Sequence, residues 1–331
     1  MIREEKPVKR LIIAMVLGLL LLCIGPMSTV SAGEAANANE VTIKLDDKTV
    51  KMKDPAIMQD GRLYVSVARI AELFGGNSSW DNDNEEVTIH TASKDKIVLG
   101  NGVPVVYFNE GRYRMEAAPF LMDGRLYAPL RQLAEMLHAK VKLNAESDVV
   151  ELMAVQPAVI TEEYGLDEIS KEFDSSKSEL LKRNGLDSKD KLKPGTKLKV
   201  VIPSIFNKEV DPFTEAELML LAKITMVEAG YETYEGQLGL ANVILNRVKD
   251  ERFPESIRGV IYSGKQFPPA HNGKLDKSKP NAGSLRAAKD ALNGKNNVEN
   301  AVYFFNPDVS KGSFWSSLNV IVTIGHHSFA R

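Results

Sequence analysis

Glu228 is the residue in this sequence whose type and spacing are best suited to acid/base chemistry. It follows Leu221 by seven positions and Ile224 by four, so a helix places its carboxyl group along the same apolar stripe. Burial and the negative end of the helix dipole both disfavour the ionised form and raise the pKa of such a carboxyl group. A carboxylic acid that stays protonated near neutral pH can protonate a glycosidic oxygen. A structural glutamate paired with Arg247 or Lys223 is the alternative, and helix geometry leaves both open.

The helix that must position Glu228 has a clear start in the sequence. Thr214 and Glu217 have the spacing of a capping box, in which each side chain binds the other's backbone N–H. The apolar residues Leu220 and Val227 complete the stripe, and we predict a helix to about Ala229. Gly230 follows, and we expect it to take the positive φ typical of a helix carboxyl end.

The sequence around Glu228 resembles the cell wall hydrolase family of SleB and CwlJ, the spore-cortex-lytic enzymes. The resemblance covers essentially all of residues 214–331. The strings that carry it are 222–229, 232–237, 241–248, 252–254, 259–262, 266–267, 287–294, 303–307 and 324–329. It implies a lysozyme-like helical fold that cleaves peptidoglycan glycan strands, with Glu228 as the catalytic acid/base.

Three positions depart from the family pattern. Gly230-Tyr231 replaces the usual Arg-Gly, Pro268-Pro269 replaces Ser or Thr followed by Pro, and His326-His327 replaces Asn-His. None of these changes removes Glu228, so we still expect activity. They change the residues around Tyr231 and Pro268 that would position substrate.

The number of catalytic carboxylates separates two mechanisms. Glu232, Glu235, Asp276 and Asp308 are acidic, but none lies on an equally apolar stripe. A single glutamate is typical of a lytic transglycosylase, in which the muramic acid 6-hydroxyl closes a 1,6-anhydro ring. A hydrolytic muramidase or glucosaminidase is the alternative, and a non-catalytic peptidoglycan-binding protein is another.

Several side chains are suited to a sugar groove, although each is equally suited to a protein core. The predicted substrate-binding residues are Tyr234, Gln266, Phe267, Tyr303, Phe304, Trp315 and His327. Asn246 and Arg247, on a predicted helix over 234–248, could orient Glu228, and Arg247 could equally form a structural ion pair. His327 could also support the fold or the cleft.

Metal and cofactor chemistry is not predicted. His271, His326 and His327 lack the spacing of a zinc motif such as His-Glu-x-x-His. No Gly-x-Ser-x-Gly elbow indicates a serine nucleophile. Cys23 is the only cysteine and falls in the predicted leader, so the mature chain has no thiol. An amidase or peptidase would need zinc ligands or a cysteine.

The amino-terminal part contains a repeat. Asp-Gly-Arg-Leu-Tyr at 60–64 recurs at 123–127, and the register continues without a gap. Each copy predicts a turn, a strand, a helix and a strand. The string resembles the copper amine oxidase-like N-terminal domain, yet His90 and His138 fall at non-equivalent positions and do not make a copper site.

A smaller unit follows the repeat. Asn184-Gly185-Leu186 and Pro194-Gly195-Thr196-Lys197-Leu198 resemble the late signatures of a LysM domain. Helices are predicted at 166–173 and 177–183, and a strand at 196–201. In that family a Gly-Asp-Thr-Leu loop helps form the N-acetylglucosamine groove, and residues 163–166 replace it here. Two interpretations therefore stay open: this copy binds N-acetylglucosamine, or it is a spacer without a ligand.

The first residues are typical of a secretory signal peptide, with four basic side chains before an apolar run over 11–24 and a small-residue site ending at Ala32. An uncleaved anchor is the alternative. A net charge of −2 does not indicate a nucleic-acid binder.

We therefore predict a secreted, monomeric, multi-domain α+β protein of the cell wall or spore cortex, whose partner is peptidoglycan and which has no stable membrane insertion. It comprises a signal peptide (1–32), a duplicated α+β module (41–153), a βααβ LysM-like domain (159–202), a linker (203–211) and a mainly helical lysozyme-like catalytic domain (212–331).

Overall fold

The computed structural model describes residues 36–37, 41–144, 148–264 and 266–331. The predicted signal peptide lies outside these residues. Within them, no helix has both the length and the apolar character needed to cross a bilayer. The described chain forms three units, each with its own buried apolar cluster. The mixed α+β class predicted from the sequence is confirmed.

The repeated Asp-Gly pairs make the same turn in both copies. Asp60 and Gly61 have φ of 49° and 70°, and Asp123 and Gly124 have φ of 49° and 72°. Two consecutive residues at positive φ define the turn that best joins twisted antiparallel strands. The two hairpins pair through their second strands, with Val65 opposite Ala128. The duplication therefore builds one continuous sheet.

The first unit contains strands and two short helices in the order that the repeat predicts. Its elements are β1 (Ala36–Asn37), β2 (Thr42–Leu45), β3 (Lys48–Thr49), β4 (Ile57–Gln59), β5 (Arg62–Ser66), α1 (Val67–Leu73), β6 (Asn77–Asp81), β7 (Glu86–His90), β8 (Lys96–Gly100), β9 (Val105–Phe108), β10 (Gly111–Arg114), β11 (Phe120–Met122), β12 (Arg125–Pro129), α2 (Leu130–Met136), β13 (Ala139–Asn144) and β14 (Val149–Ala154). The sheets run β1-β4-β5-β12-β11, β10-β9-β8-β7-β6 and β13-β14-β2-β3, with β14 and β2 parallel. Both helices bury one face in the shared core.

The second unit has the predicted βααβ order. Its elements are β15 (Ala158–Val159), α3 (Leu166–Glu172), α4 (Lys177–Asn184) and β16 (Lys197–Leu198). Helix α4 begins with a capping box between Ser176 and Glu179 and ends at Gly185, which has the left-handed φ of 64°. The strand at 196–201 is shorter than predicted, because only two of its residues pair with β15.

The third unit is mainly helical. Its elements are α5 (Glu215–Ala229), α6 (Tyr234–Lys249), α7 (Ile257–Tyr262), α8 (Pro268–His271), α9 (Lys274–Lys277), α10 (Ala282–Leu292), β17 (Tyr303–Phe305), α11 (Ser313–Ser317), β18 (Val320–Ile324) and β19 (His327–Ala330). Helix α10 packs against both α5 and α6. A sheet in the order β17-β19-β18, which was not predicted from the sequence, also packs against α6.

The first and second units meet around a buried ion cluster. Asp95 accepts hydrogen bonds from Arg183 at 2.9 Å and from Lys199 at 2.6 Å. His138 accepts from the Val200 backbone N–H at 2.8 Å, and burial lowers the pKa of its imidazole to about 4. His138 is therefore a neutral structural residue, whereas His90 is exposed.

The segment 203–211, which was expected to be a linker, packs as ordered structure. Ser204–Asn207 form a turn of 3₁₀ helix, and both Ile205 and Phe206 are buried in the core of the first unit. The ring of Phe206 stacks on Tyr113 with a centroid distance of 5.1 Å. The segment that leads into the third unit is therefore packed against the first unit.

The third unit also contacts the first directly through α10. Lys289 donates to both carboxylate oxygens of Glu86, at 2.7 and 2.9 Å, and Arg286 pairs with Glu85 at 2.8 Å. Arg112 reaches the end of α10, where it donates to the Asn293 side chain at 2.8 Å. Charged pairs and hydrogen bonds thus fix the helical unit on the duplicated module.

Candidate active site

Helix α5 begins where the sequence predicts. The Thr214 side chain accepts from the Glu217 backbone N–H, and the Glu217 carboxylate accepts from the Thr214 backbone N–H at 2.8 Å. The prediction for Gly230 was wrong, because this residue has a right-handed φ of −64° and not a positive one. A Cβ at Gly230 would lie 2.3 Å from the Met226 carbonyl oxygen, so the end of α5 would have to shift to admit a side chain here.

Glu228 lies in the last turn of α5 and is half-buried. Leu221 and Ile224, which precede it on the same stripe, are fully buried. Burial raises the pKa of the Glu228 carboxyl group above its ordinary value of 4.5, and no charged or hydrogen-bonding side chain among the described residues opposes this shift. A carboxyl group in this setting retains its proton to higher pH and is suited to proton donation.

Arg247 and Lys223, the two cations considered as partners of Glu228, are bound elsewhere. The Arg247 Nε donates to the Val302 carbonyl oxygen at 2.6 Å, and the guanidinium lies over the rings of Phe253 and Phe267. Lys223 donates to the Asp276 carbonyl oxygen at 3.3 Å. The geometry therefore favours the unpaired carboxyl group over the structural ion pair.

The two residues predicted to orient Glu228 bind the same backbone segment. Asn246 donates to the carbonyl oxygens of Glu299 and Ala301, both at 2.9 Å, next to the Arg247 contact with Val302. Burial lowers the pKa of Arg247 to about 10. Their contacts hold the chain that leads into β17. Any influence on Glu228 remains a prediction.

Three of the predicted sugar-binding residues come together on one side of α6. The Phe267 and Phe304 rings stack with centroids 6.2 Å apart, and the His327 ring meets Phe304 edge-on at 5.6 Å. Phe267 is completely buried, whereas Phe304 and His327 are partly exposed. Phe267 is placed as a core residue beneath the two that solvent can reach.

A second aromatic group lies on the outer part of the carboxy-terminal sheet. Trp315 packs on Phe305 with centroids 5.0 Å apart, and Tyr303 meets Phe314 edge-on at 5.7 Å. Phe314 is 52% exposed and was not selected from the sequence. Partly exposed aromatic rings of this kind are suited to stacking on sugar rings.

The remaining two predicted sugar-binding residues differ in exposure. Gln266 is exposed in the loop before α8. The hydroxyl group of Tyr234 donates to Asp290 at 2.5 Å, and the Arg286 guanidinium lies 4.1 Å from the centre of its ring. Burial, followed by the Asp290 charge, raises the pKa of Tyr234. Tyr234 is thus already engaged on the side of the domain that faces the duplicated module.

The structure adds Glu232, an acidic residue that the sequence did not place on an apolar stripe. Glu232 lies in the loop between α5 and α6, and its side chain is only 8% exposed. It accepts from the His326 backbone N–H at 3.2 Å and lies 3.0 Å from the His326 Nδ1. Its partner is 94 positions away in sequence, so no local spacing could have identified the contact.

Across the described ranges, no group of three or more His, Cys, Asp or Glu side chains is arranged to hold a metal ion. His271 lies against the Tyr262 ring, and His326 and His327 face Glu232.

Three families match separate parts of the chain. The Copper amine oxidase N-terminal domain family matches residues 44–152, the LysM domain family matches 166–201, and the Cell Wall Hydrolase family matches 231–330. The last match begins three residues after Glu228. All three families are those that the sequence motifs resemble.

Individual relatives match the carboxy-terminal part. The spore cortex-lytic enzyme of Bacillus subtilis (strain 168) is 38% identical over 117 residues, which is 35% of this chain and 38% of that protein. The spore cortex-lytic enzyme of Oceanobacillus iheyensis is 34% identical over 119 residues, or 36% of this chain and 43% of that protein. The chain thus spans less than half the length of these curated relatives.

Two solved structures are also similar. The catalytic domain of the Bacillus cereus SleB protein is 33% identical, with 37% of this chain and 94% of that one covered and a TM-score of 0.35. The catalytic domain of the germination-specific lytic transglycosylase SleB from Bacillus anthracis is 32% identical, with 37% and 99% covered and a TM-score of 0.35.

The fold and the family matches define a multi-domain protein in which a hydrolase-family domain follows two accessory domains along the chain. The carboxy-terminal unit is a cell wall hydrolase domain, preceded by a copper amine oxidase N-terminal-like domain and a LysM domain.

Proposed function

We propose that this protein cleaves the glycan strands of peptidoglycan, with Glu228 as the single acid/base. The observation that carries the proposal is the half-buried Glu228 carboxyl group, whose pKa is raised by burial. The cell wall hydrolase family and the spore cortex-lytic relatives support peptidoglycan as the substrate class.

The finer proposal is a lytic transglycosylase. The protonated Glu228 donates its proton to the oxygen that links N-acetylmuramic acid, or muramic lactam, to N-acetylglucosamine, and the glycosidic bond breaks. The Glu228 carboxylate then accepts the proton of the muramic 6-hydroxyl group while that oxygen bonds to the anomeric carbon. The product has a 1,6-anhydro ring, and neither water nor a second carboxylate takes part in the reaction.

Two features support substrate attachment. The LysM domain supports binding to peptidoglycan, and its ordered packing on the duplicated module holds it at a fixed position in the chain. Attachment to an insoluble polymer raises the effective concentration of the cleaving unit. We propose the cell wall or spore cortex as its location and a monomer as the working unit.

Mass spectrometry of muropeptides released from purified peptidoglycan tests the mechanism. We expect the wild type to release anhydromuramyl ends and Glu228→Gln to release at least about 10²-fold less. Glu215→Gln, an exposed glutamate at the start of the same helix, is the matched control and should behave as wild type. Reducing ends would identify a hydrolase, and equal release by Glu228→Gln would overturn the assignment of this residue.

A further inference from the structure

We infer that Glu232 is a positioning residue for Glu228, and this inference rests on the proposed function. Glu232 ties the turn between β18 and β19, at Gly325 and His326, to the loop that follows α5. The tie fixes the end of the helix that carries Glu228. The Glu232 side chain thereby links the last strands of the domain to its first helix.

The contacts of Glu232 come from both ends of the domain. On the α5 side, its backbone N–H donates to the Ala229 carbonyl oxygen at 2.9 Å, one residue after Glu228. Its own carbonyl oxygen accepts from the buried Gln237 side chain at 2.9 Å. These hydrogen bonds hold the backbone of the loop independently of the Glu232 carboxylate.

On the other side, the carboxylate binds the β18–β19 turn. One oxygen accepts from the His326 backbone N–H at 3.2 Å, and the other lies 3.0 Å from the His326 Nδ1. The His327 Nδ1 is 3.6 Å from that second oxygen, and it makes no hydrogen bond with the described residues. A carboxylate that is almost fully buried between two imidazole rings has few other positions to adopt.

Gly325 shows how closely the turn approaches. It has a positive φ of 58°, and a Cβ at this position would lie 1.9 Å from a Glu232 carboxylate oxygen. A side chain at this position would have to displace the Glu232 carboxylate from the turn. Gly264 has nearly the same φ, 60°, but a Cβ there would meet nothing within 4 Å. Alanine substitutions at the two glycines impose similar backbone strain, but only the one at Gly325 disturbs the contact with Glu232.

The first test uses amide hydrogen exchange on the full-length protein, which does not depend on activity. In Glu232→Ala and Gly325→Ala we expect the His326 amide and the amides of the last turn of α5 to exchange at least about tenfold faster than in the wild type. Gly264→Ala carries the same backbone strain and should leave those amides unchanged. Unchanged exchange in both test variants would overturn the tie.

The second test is kinetic. We expect Glu232→Ala and Gly325→Ala to lower kcat for peptidoglycan cleavage about tenfold or more while KM stays within twofold, because Glu228 is misplaced while the aromatic side chains predicted to bind sugar are unchanged. Glu232→Gln keeps an oxygen acceptor for the His326 N–H and should recover most of the lost kcat.

The outcomes distinguish the two proposals. If the wild type cleaves and the Glu232→Ala and Gly325→Ala variants keep wild-type kcat, the positioning role is wrong and the proposed function stands. If the wild type does not cleave peptidoglycan, the proposed function fails, and with it the role of Glu232 in catalysis. The exchange measurement then still decides whether Glu232 ties the turn to the helix.

Discussion

The buried Asp95 carboxylate, between the first two units, and the Glu228 carboxyl group have opposite surroundings. Asp95 is 2% exposed and is bound by Arg183, whose side chain is 0% exposed, and by Lys199. Burial alone would raise the pKa of Asp95, but these cations lower it. Glu228 is half-buried, and no cation among the described residues offsets the burial that raises its pKa.

The difference shows which carboxylates serve structure. A buried carboxylate with bound cations stabilises the position of the elements that supply them. A partly buried carboxyl group without a partner costs stability when it ionises, and it gives the fold no contact in return. A half-buried carboxyl group without a bound cation, such as Glu228 at the end of α5, is typical of an active site in which the group donates a proton.

Loss of Asp95 should have the largest effect on stability. Asp95→Ala leaves the Arg183 charge buried without its partner, so we expect the free energy of unfolding to fall by about 3–5 kcal/mol. Because the folded pKa of Asp95 is lowered, its stabilisation is present above the ordinary value of 3.8 and is lost as pH falls through the folded value. Urea unfolding at neutral and acidic pH measures both.

An exposed ion pair provides the control for Asp95. Asp167 pairs with Lys177, and their side chains are 62% and 52% exposed. Asp167→Ala should cost only about 0–1 kcal/mol, because exposed pairs are screened by water. Equal costs at Asp95 and Asp167 would contradict the distinction between paired burial and surface charge.

The contact between α10 and the duplicated module should show a smaller effect. Glu86→Lys or Lys289→Glu places like charges within reach and should each lower the free energy of unfolding by about 1 kcal/mol. The double exchange restores an opposite pair and should recover most of that loss. Additive losses in the double variant would show that the two side chains do not interact in solution.

Neutralisation of Glu228 should have the smallest effect and the opposite sign. Because the folded pKa is raised, ionisation of Glu228 costs stability as pH rises through that value. Glu228→Gln removes this cost, so we expect Tm to rise by about 1–3 °C at pH 7 and to match the wild type under acidic conditions. Differential scanning calorimetry measures the shift, and a lower Tm at pH 7 would indicate a structural role.

Local patterns predicted the parts of the fold that depend on neighbouring residues. The Thr214 capping box, the paired Asp-Gly turns and the Gly185 helix end all depend on residues within a few positions, and the structure contains each of them. The raised pKa of Glu228 was also predictable, since it follows from helical spacing and burial.

Contacts between distant segments could not be predicted in this way. Asp95 and Arg183 are 88 positions apart, and Glu232 and His326 are 94 apart. The engagement of Tyr234 by Asp290 likewise depends on the packing of α6 against α10. Hydrophobic periodicity specifies which face of an element is buried, but it does not specify which charged residue will meet it there.

The most direct test is a titration of the Glu228 carboxyl group by ¹³C NMR in protein labelled at the glutamate side-chain carboxyl carbons. The Glu228 signal is assigned by its absence from Glu228→Gln. We predict a midpoint above 4.5, the ordinary value for a glutamate, because burial acts on this group without an opposing charge. A midpoint at or below 4.5 would show that the carboxyl group is solvated or paired, and would contradict its role as the proton donor.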